Sequence, residues 1–458
     1  MTPADIRTYL AQHRETILKE WFELLSIPTI GADIAHLGDC ARCAAWLKRK
    51  LKGLGFTVEL VQISPETPPV LFAERSAEGE GTTVLFYGHY DVQPVDPLEL
   101  WTTPPFEPVL KDDDRVYARG AQDNKGQVFA FITGLEAALA AGVKLPCIKM
   151  ILEGQEESGS DSLSRLVAQR QKTLGADVLM VSDTGVHDSG RPAITAGLRG
   201  VAHFTVKLRG PAYDLHSGLH GGIAPNPAHG MAKLLASLHT EQGRVAVEGF
   251  YDHVRLPSDD ELRLAEEEPF DAEAYRKEVG CAPVGGEAGL SAVLRGSFMP
   301  TVEINGIHTG YGGPGSKTVI PSEAIAKLSI RLVPCQPPIE TTNLVVEHLK
   351  QNCPEGFTIE VTDVTGCEPG FRLPIDAPVV RLAQTVLEEI DSRGAVFKWE
   401  GASIPIVARL RDVSGAAPLL VGFGRQEDRI HCPNESYSLE QFDCGVVWSA
   451  LMLEVLGN

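Results

Sequence analysis

Apolar positions recur at intervals of three and four in "IRTYLAQHRETILKEWFELL" and "CARCAAWLKRKLKGLG", which predicts helices over residues 4–26 and 39–52. Short apolar runs follow at "FTVELV", "VLFAE" and "TVLFYGH", as expected of strands buried in a sheet. "KGQVFAFITGLEAALAAG" reads as a helix closed by Gly142. Strand "CIKMILEG", helix "SDSLSRLVAQRQKTLG" and strand "DVLMVSD" come next. This alternation predicts an α/β fold around a mostly parallel sheet.

Near residue 197 the pattern changes. "GVAHFTVKLRG" and "AIAKLSIRLVP" alternate apolar and polar positions, as half-exposed strands do, and "PAHGMAKLLASLHT" and "IETTNLVVEHLKQ" read as helices. Between them, residues 241–300 are rich in acids, Gly and Pro, with weak periodicity. After "GCEPGFRLP" the first style returns with helix "DAPVVRLAQTVLEEI", strand "PLLVGFG" and helix "LEQFDCGVVWSALMLEVLG". The expected organisation is a discontinuous α/β domain, 1–196 and 371–458, carrying an inserted smaller α+β domain, 197–370.

A chain of 458 residues is long enough for two or three cores. Its net charge of −20 argues against a nucleic-acid partner, which needs clustered Lys and Arg. No apolar run approaches the roughly 18 residues of a membrane span. The segment "MTPADIRTYLAQHRETILKEW" is charged throughout, so a cytoplasmic location is expected. Nine cysteines, an odd number spread over a long chain, do not suggest a disulfide framework. The "CARC" pair, Cys40 and Cys43, has no second Cys or His pair near it to complete a structural zinc site.

The chemistry gathers at strand ends. In "ILEGQEESGSDSL" a buried-looking strand runs out into two adjacent carboxylates, Glu156 and Glu157, which repel each other unless something separates their tasks. "VLFYGHYDVQP" brings His89 and Asp91, "ARGAQDNKG" Asp123, "VLMVSDTG" Asp183, and "VGFGRQEDRIHCPNE" His431. A lone His or Asp at a strand end is usually structural or solvated. In a parallel sheet all these ends share one edge, where ligands bind, so the groups would converge. Converging carboxylates are neutralised by divalent cations. Mixed His and carboxylate ligation suits zinc, manganese or cobalt better than calcium or magnesium. The expectation is a dinuclear metal site. No "HExxH" or "GxSxG" motif is present, and "GYGGPGSKT" lacks the Gly-Lys pair of a phosphate loop because Ser316 interrupts it.

"GHYDVQP", "ARGAQDNKG", "EGQEESGS", "VSDTG", "DLHSGLHGG", "GPGSKTVIP", "SIRLVP" and "GASIP" occur in order between Gly88 and Pro405, within a likeness that runs from about residue 20 to residue 458. Together they resemble the signature segments of carnosinase-type dipeptidases. These belong to the metallopeptidase family that also holds aminoacylase, acetylornithine deacetylase and succinyl-diaminopimelate desuccinylase. The resemblance implies two divalent metal ions per subunit, zinc first, with manganese or cobalt as alternatives. It also implies a homodimer formed through the inserted lid domain. Carried over by motif, Asp123 would bridge both ions, with His89 and Asp183 on one and Glu157 and His431 on the other. Asp91 would hydrogen-bond His89 and fix its tautomer. Glu156 would be the general base, which answers the paired-glutamate question: one holds an ion, and its neighbour takes a proton from the attacking water. His216 resembles the lid histidine supplied by the other subunit as an oxyanion donor; the bland alternative is a turn histidine satisfied by local backbone. Arg331 resembles the residue that holds the substrate carboxylate; its bland alternative is a strand-face ion pair. Gly401 and Ser403 would line the same pocket. Some relatives have a histidine where this chain reads "TGCEPG" with Cys367, a departure bearing on substrate preference.

The implied activity is hydrolysis of a dipeptide or short peptide beside a free C-terminal carboxylate. An N-acyl-amino-acid deacylase with the same centre is the alternative within this chemistry. A non-catalytic, metal-stabilised binding protein is the alternative from another class.

Overall fold

The computed structural model describes residues 1–77 and 81–458. The chain folds as two compact units. One comprises Met1–Ala196, Leu373–Lys398 and Arg409–Asn458; the other comprises Gly197–Arg372 and Trp399–Ala408.

The first unit is built on a sheet whose centre is parallel. Thr83–His89 runs parallel to Cys147–Glu153 on one side and to Val178–Val181 on the other. Ala417–Leu420 continues parallel beside Val178–Val181. Val70–Arg75 and Thr57–Val61 extend the sheet antiparallel beyond Cys147–Glu153. The α/β expectation with a mostly parallel core holds. The central strands bury both faces, with Val84, Leu85, Phe86 and Tyr87 inaccessible to solvent. Such burial explains why their sequence is an apolar run and not an alternation.

Helices Lys125–Ala140 and Leu439–Gly457 are apolar almost all round because they are buried almost all round. They meet at Gly134, where a Cβ would stand 2.7 Å from the Val446 carbonyl oxygen. Helix Pro3–Leu25 begins with a Thr2–Asp5 capping box and buries Ile6, Leu10, Ile17, Trp21 and Leu24 along one stripe. Buried Lys125 donates to the Leu24 and Ile27 carbonyls, satisfying the end of that helix. The stretch expected as one helix over residues 160–175 divides into Asp161–Gln169 and Gln171–Leu174. Arg170 leaves helical geometry at the break and pairs with Glu59 at 2.8 Å.

The second unit holds a four-stranded antiparallel sheet in the order Thr301–Thr309, Glu323–Leu332, Gly200–Arg209, Thr358–Glu368. Helices Pro227–Ala236 and Pro338–Gln351 contribute Leu234, Val345 and Leu349 to its core, against Phe204, Val206, Leu328 and Ile330. The two outer strands gave no clear alternation in sequence. Both are edges with largely exposed side chains, and their register shifts beside Gly306 and Gly366. Within the acidic 241–300 stretch lie two short capped helices, Asp259–Ala265 and Ala272–Val279.

One assignment needs correction. The expectation put all of 371–458 in the α/β domain, but Trp399–Ala408 lies with the second unit. Arg199 Nε donates to the Gly401 carbonyl at 3.0 Å and Ser297 donates to the Trp399 carbonyl at 2.6 Å, tying the segment there. Among the described residues no helix is long and apolar enough to cross a membrane.

Candidate metal centre

Within the first unit, strand ends deliver His89, Glu156, Glu157 and Asp183, whereas Asp123 precedes a helix and His431 lies in a loop well beyond its strand. His89 is the last residue of Thr83–His89. Glu156 and Glu157 form the tight turn that follows Cys147–Glu153, and Asp183 follows Val178–Val181. Asp123 lies immediately before helix Lys125–Ala140, with a cis peptide to Asn124. His431 sits in left-handed backbone (φ 61°) beyond Ala417–Leu420.

These groups fall into two sets that share one carboxylate. His89, Asp123 and Asp183 form the first set; Asp123, Glu157 and His431 form the second. His89 Nε2 is 3.3 Å from Asp123 Oδ1 and 3.8 Å from Asp183. His431 Nε2 is 2.9 Å from Asp123 Oδ2 and 3.3 Å from Glu157. The two oxygens of Asp123 therefore face different imidazoles. Glu156 is outside both sets, its Oε2 4.0 Å from His89 Nε2.

The donor set fits divalent cations. Two ligands each about 2.1 Å from a tetrahedral ion stand roughly 3.4 Å apart, and the spacings above bracket that value. His89 adds a specific sign. Its Nδ1 is 3.1 Å from the Asp91 carbonyl oxygen and 3.4 Å from the Asp91 carboxylate. Nδ1 therefore carries the proton of the neutral ring, leaving the Nε2 lone pair aimed at Asp123 and Asp183. That Nε2 is buried and has no hydrogen-bond partner.

The electrostatics agree. The Asp123 and Glu157 carboxylates push the His431 imidazole up to about 10. For His89, burial works against the charged ring, but the Asp123 and Asp183 carboxylates outweigh it and hold its proton affinity well above the ordinary histidine range. A field that so favours an imidazolium favours a divalent cation more. Burial, reinforced by the Asp183 and Glu157 charges, raises Glu156 well above the usual carboxylate range, although His89 opposes the shift. A carboxylate so placed is a stronger base than a solvated one.

Asp91, fully buried, has a second task that the sequence did not suggest. Its two oxygens accept the Glu156 and Glu157 backbone N–H groups, each at 3.2 Å, and so hold the turn that points the glutamates. Gln93 donates to Glu157 Oε2 at 2.8 Å, and Asn124 donates to Asp183 Oδ1 at 2.8 Å. Neither amide was singled out. Both lie within two residues of a candidate ligand or its partner, which is the only signal an uncharged, aperiodic side chain leaves.

The remaining candidates lie in the second unit. Arg331, half-buried in Glu323–Leu332, donates to Ser403 Oγ at 3.1 Å, and Ser403 donates in turn to the Arg199 carbonyl. Among the described residues Arg331 has no ion-pair partner. Gly401 is closely overlaid: a Cβ there would stand 2.6 Å from Arg199 Nη2 and 2.7 Å from the Gly296 carbonyl oxygen. His216 is exposed, and its Nδ1 accepts the Gly218 N–H at 3.0 Å. That local bond is the one expected of a turn histidine. It also fixes the neutral tautomer with its proton on Nε2, available to donate outward. Cys367 is half-buried in Thr358–Glu368.

Known proteins resemble nearly the whole length of the chain. Residues 85–454 match the model of peptidase family M20/M25/M40. The Beta-Ala-His dipeptidase of Homo sapiens is 31% identical over 98% of this chain and 91% of its own. The Cys-Gly metallodipeptidase DUG1 of Candida albicans is 30% identical over 91% of this chain and 90% of its own. The crystal structure of human carnosine dipeptidase 1 aligns with a TM-score of 0.80 at 28% identity, covering 99% of both chains. By the family match and these near full-length likenesses, the chain belongs to peptidase family M20/M25/M40.

Proposed function

We propose that this chain is a metal-dependent dipeptidase that hydrolyses the peptide bond next to a free C-terminal carboxylate. The observation that carries the reading is the pair of ligand sets joined through Asp123, with Glu156 beside them and outside both. His89, Asp123 and Asp183 would hold one ion, and Asp123, Glu157 and His431 the other. Zinc suits these donors, and manganese or cobalt would serve the same geometry. When bound, two such ions acidify water towards a pKa of about 7 and polarise the scissile carbonyl.

The chain's own residues do the rest. Glu156, with its raised proton affinity, accepts the proton of the attacking water and returns it to the leaving amine. Asp91 keeps both glutamates oriented and holds His89 in its tautomer. His216 donates from Nε2 to the developing oxyanion, supplied from the second subunit of a homodimer. The inserted unit supports such a dimer with exposed apolar side chains at Leu219 and Ile223 and an edge strand at Thr301–Thr309. All nine cysteines are free, which accords with a reducing, cytoplasmic setting.

Arg331 takes the substrate carboxylate, with Ser403 and Gly401 beside it. A guanidinium suits this task because its fork of donors matches a carboxylate. A half-buried guanidinium with no acid in direct contact, only the more distant charge of Glu303, is also costly to keep unless a ligand supplies a partner. Arg331→Ala is expected to cost about 1.5–3 kcal/mol on dipeptides, roughly ten- to a hundred-fold in kcat/KM. Dipeptide amides should lose far less. Equal losses on acid and amide substrates would remove this role from Arg331 and the carboxylate requirement with it.

A further inference from the structure

Four residues past His431, the chain places an acid, Glu435, at the entrance to strand Ser436–Ser438. Carboxylates are almost never fully buried unless paired. Glu435 is fully buried, and so, to 1%, is Arg119. Its Oε2 accepts from Arg119 Nη1 at 2.8 Å and from the Gly120 N–H at 3.0 Å. Its Oε1 accepts from the Gln122 and Asp123 N–H groups, each at 3.1 Å. One carboxylate thus straddles the whole turn that ends in the shared carboxylate. The Glu435 carbonyl adds a further bond, from the Ala118 N–H at 3.2 Å.

The same two segments are joined on the other side of His431. Arg115 pairs with buried Asp428 and donates to Ser436 Oγ at 2.9 Å. The stretch from Asp428 to Glu435, with His431 in its middle, is therefore clipped at both ends to the segment that runs from Arg115 to Asp123. The 2.9 Å approach of His431 to Asp123 depends on these clips holding their register.

We propose that Glu435 is a positioning residue of the metal centre: its carboxylate fixes the Asp123 backbone so that the two Asp123 oxygens face His89 and His431. The inference rests on reading the cluster as a two-ion site. Gln at this position would present a donor to a backbone donor and leave Arg119 without its counter-charge. Asp would keep the charge but fall one methylene short of the turn.

The test uses the full chain, stripped of metal and titrated with Mn²⁺ by calorimetry. Electron paramagnetic resonance reports exchange coupling between the two ions, and thermal unfolding is followed with and without Mn²⁺. Wild type is expected to bind two Mn²⁺ and show the coupled signal. Glu435→Gln should bind about 10- to 100-fold more weakly, as loss of a ligand-orienting partner does. Its coupled signal should fade, and the rise in Tm on adding Mn²⁺ should shrink. Glu435→Asp should fall between the two. A purely structural role would lower the metal-free and metal-loaded Tm alike, leaving the metal-induced rise intact. That result, or unchanged Mn²⁺ affinity and coupling in a folded Glu435→Gln protein, overturns the proposal. Failure of both variants to fold overturns it too, because Glu435 would then serve the fold. If wild type itself binds fewer than two Mn²⁺, the two-ion reading is what fails.

Discussion

Glu156→Gln is expected to lower turnover by about 10²–10⁴-fold, the usual contribution of a general acid–base group, while both metal ions stay bound. Glu156 lies outside both ligand sets, so amidation removes a proton acceptor and leaves every proposed ligand in place. Its backbone N–H still reaches Asp91, so the turn that aims Glu157 is undisturbed. Glu157→Ala is the counterpart. It removes a carboxylate that stands 3.3 Å from His431 and should therefore lose one of the two ions. Metal content measured on both purified variants separates the roles. One ion on Glu156→Gln and two on Glu157→Ala would reverse the assignment within the pair.

The second large effect concerns His216. An oxyanion donor is worth roughly 10²–10³ in turnover, so His216→Ala should be nearly inactive while folded and metal-loaded. If each active site takes Glu156 from one subunit and His216 from the other, two inactive variants repair each other. In a heterodimer of Glu156→Gln with His216→Ala, one site carries both lesions and its companion carries neither. Co-expression should then restore part of the wild-type rate. A separated heterodimer that remains inactive, with each homodimer folded and loaded, would mean that His216 acts within its own chain or not at all. The local bond from Gly218 would then be its whole purpose.

How much was legible in advance follows from where each residue sits. Strand Thr83–His89 could be read to the residue because it is buried on both faces and so is an unbroken apolar run. Thr301–Thr309 and Thr358–Glu368 could not, because edge strands with one open face and a register shift at a glycine lose the period on which such reading depends. The split at Arg170 escaped for a different reason: Arg and Gln are ordinary helix residues, and only the backbone geometry at Arg170, which pairs with Glu59, marks the break.

The same holds at the centre. His89, Glu157 and Asp183 stand out in sequence as charged or imidazole groups at the ends of apolar strands, Asp123 and His431 as such groups in loops, and in the fold all five lie together. Asp91 was noticed as a partner of His89, but its hold on the Glu156–Glu157 turn is made through backbone N–H groups, which leave no mark in a sequence. Glu435 is subtler still. Its carboxylate is spent on the backbone of a turn more than three hundred residues earlier, and only the fold brings the two together. The return of Trp399–Ala408 to the second unit has the same character, since Arg199 and Gly401 meet across two hundred residues.

The central claim is metal-dependent cleavage of a peptide bond beside a free carboxylate. Its most direct test is a substrate panel: dipeptides beside N-acetyl and N-succinyl amino acids, offered to stripped protein with zinc or manganese added separately. Dipeptides should be cleaved on addition of either ion or both, faster than the N-acyl compounds, and not by the stripped protein. Cleavage of N-acyl amino acids with dipeptides untouched, or unchanged dipeptide cleavage after stripping, would contradict the account.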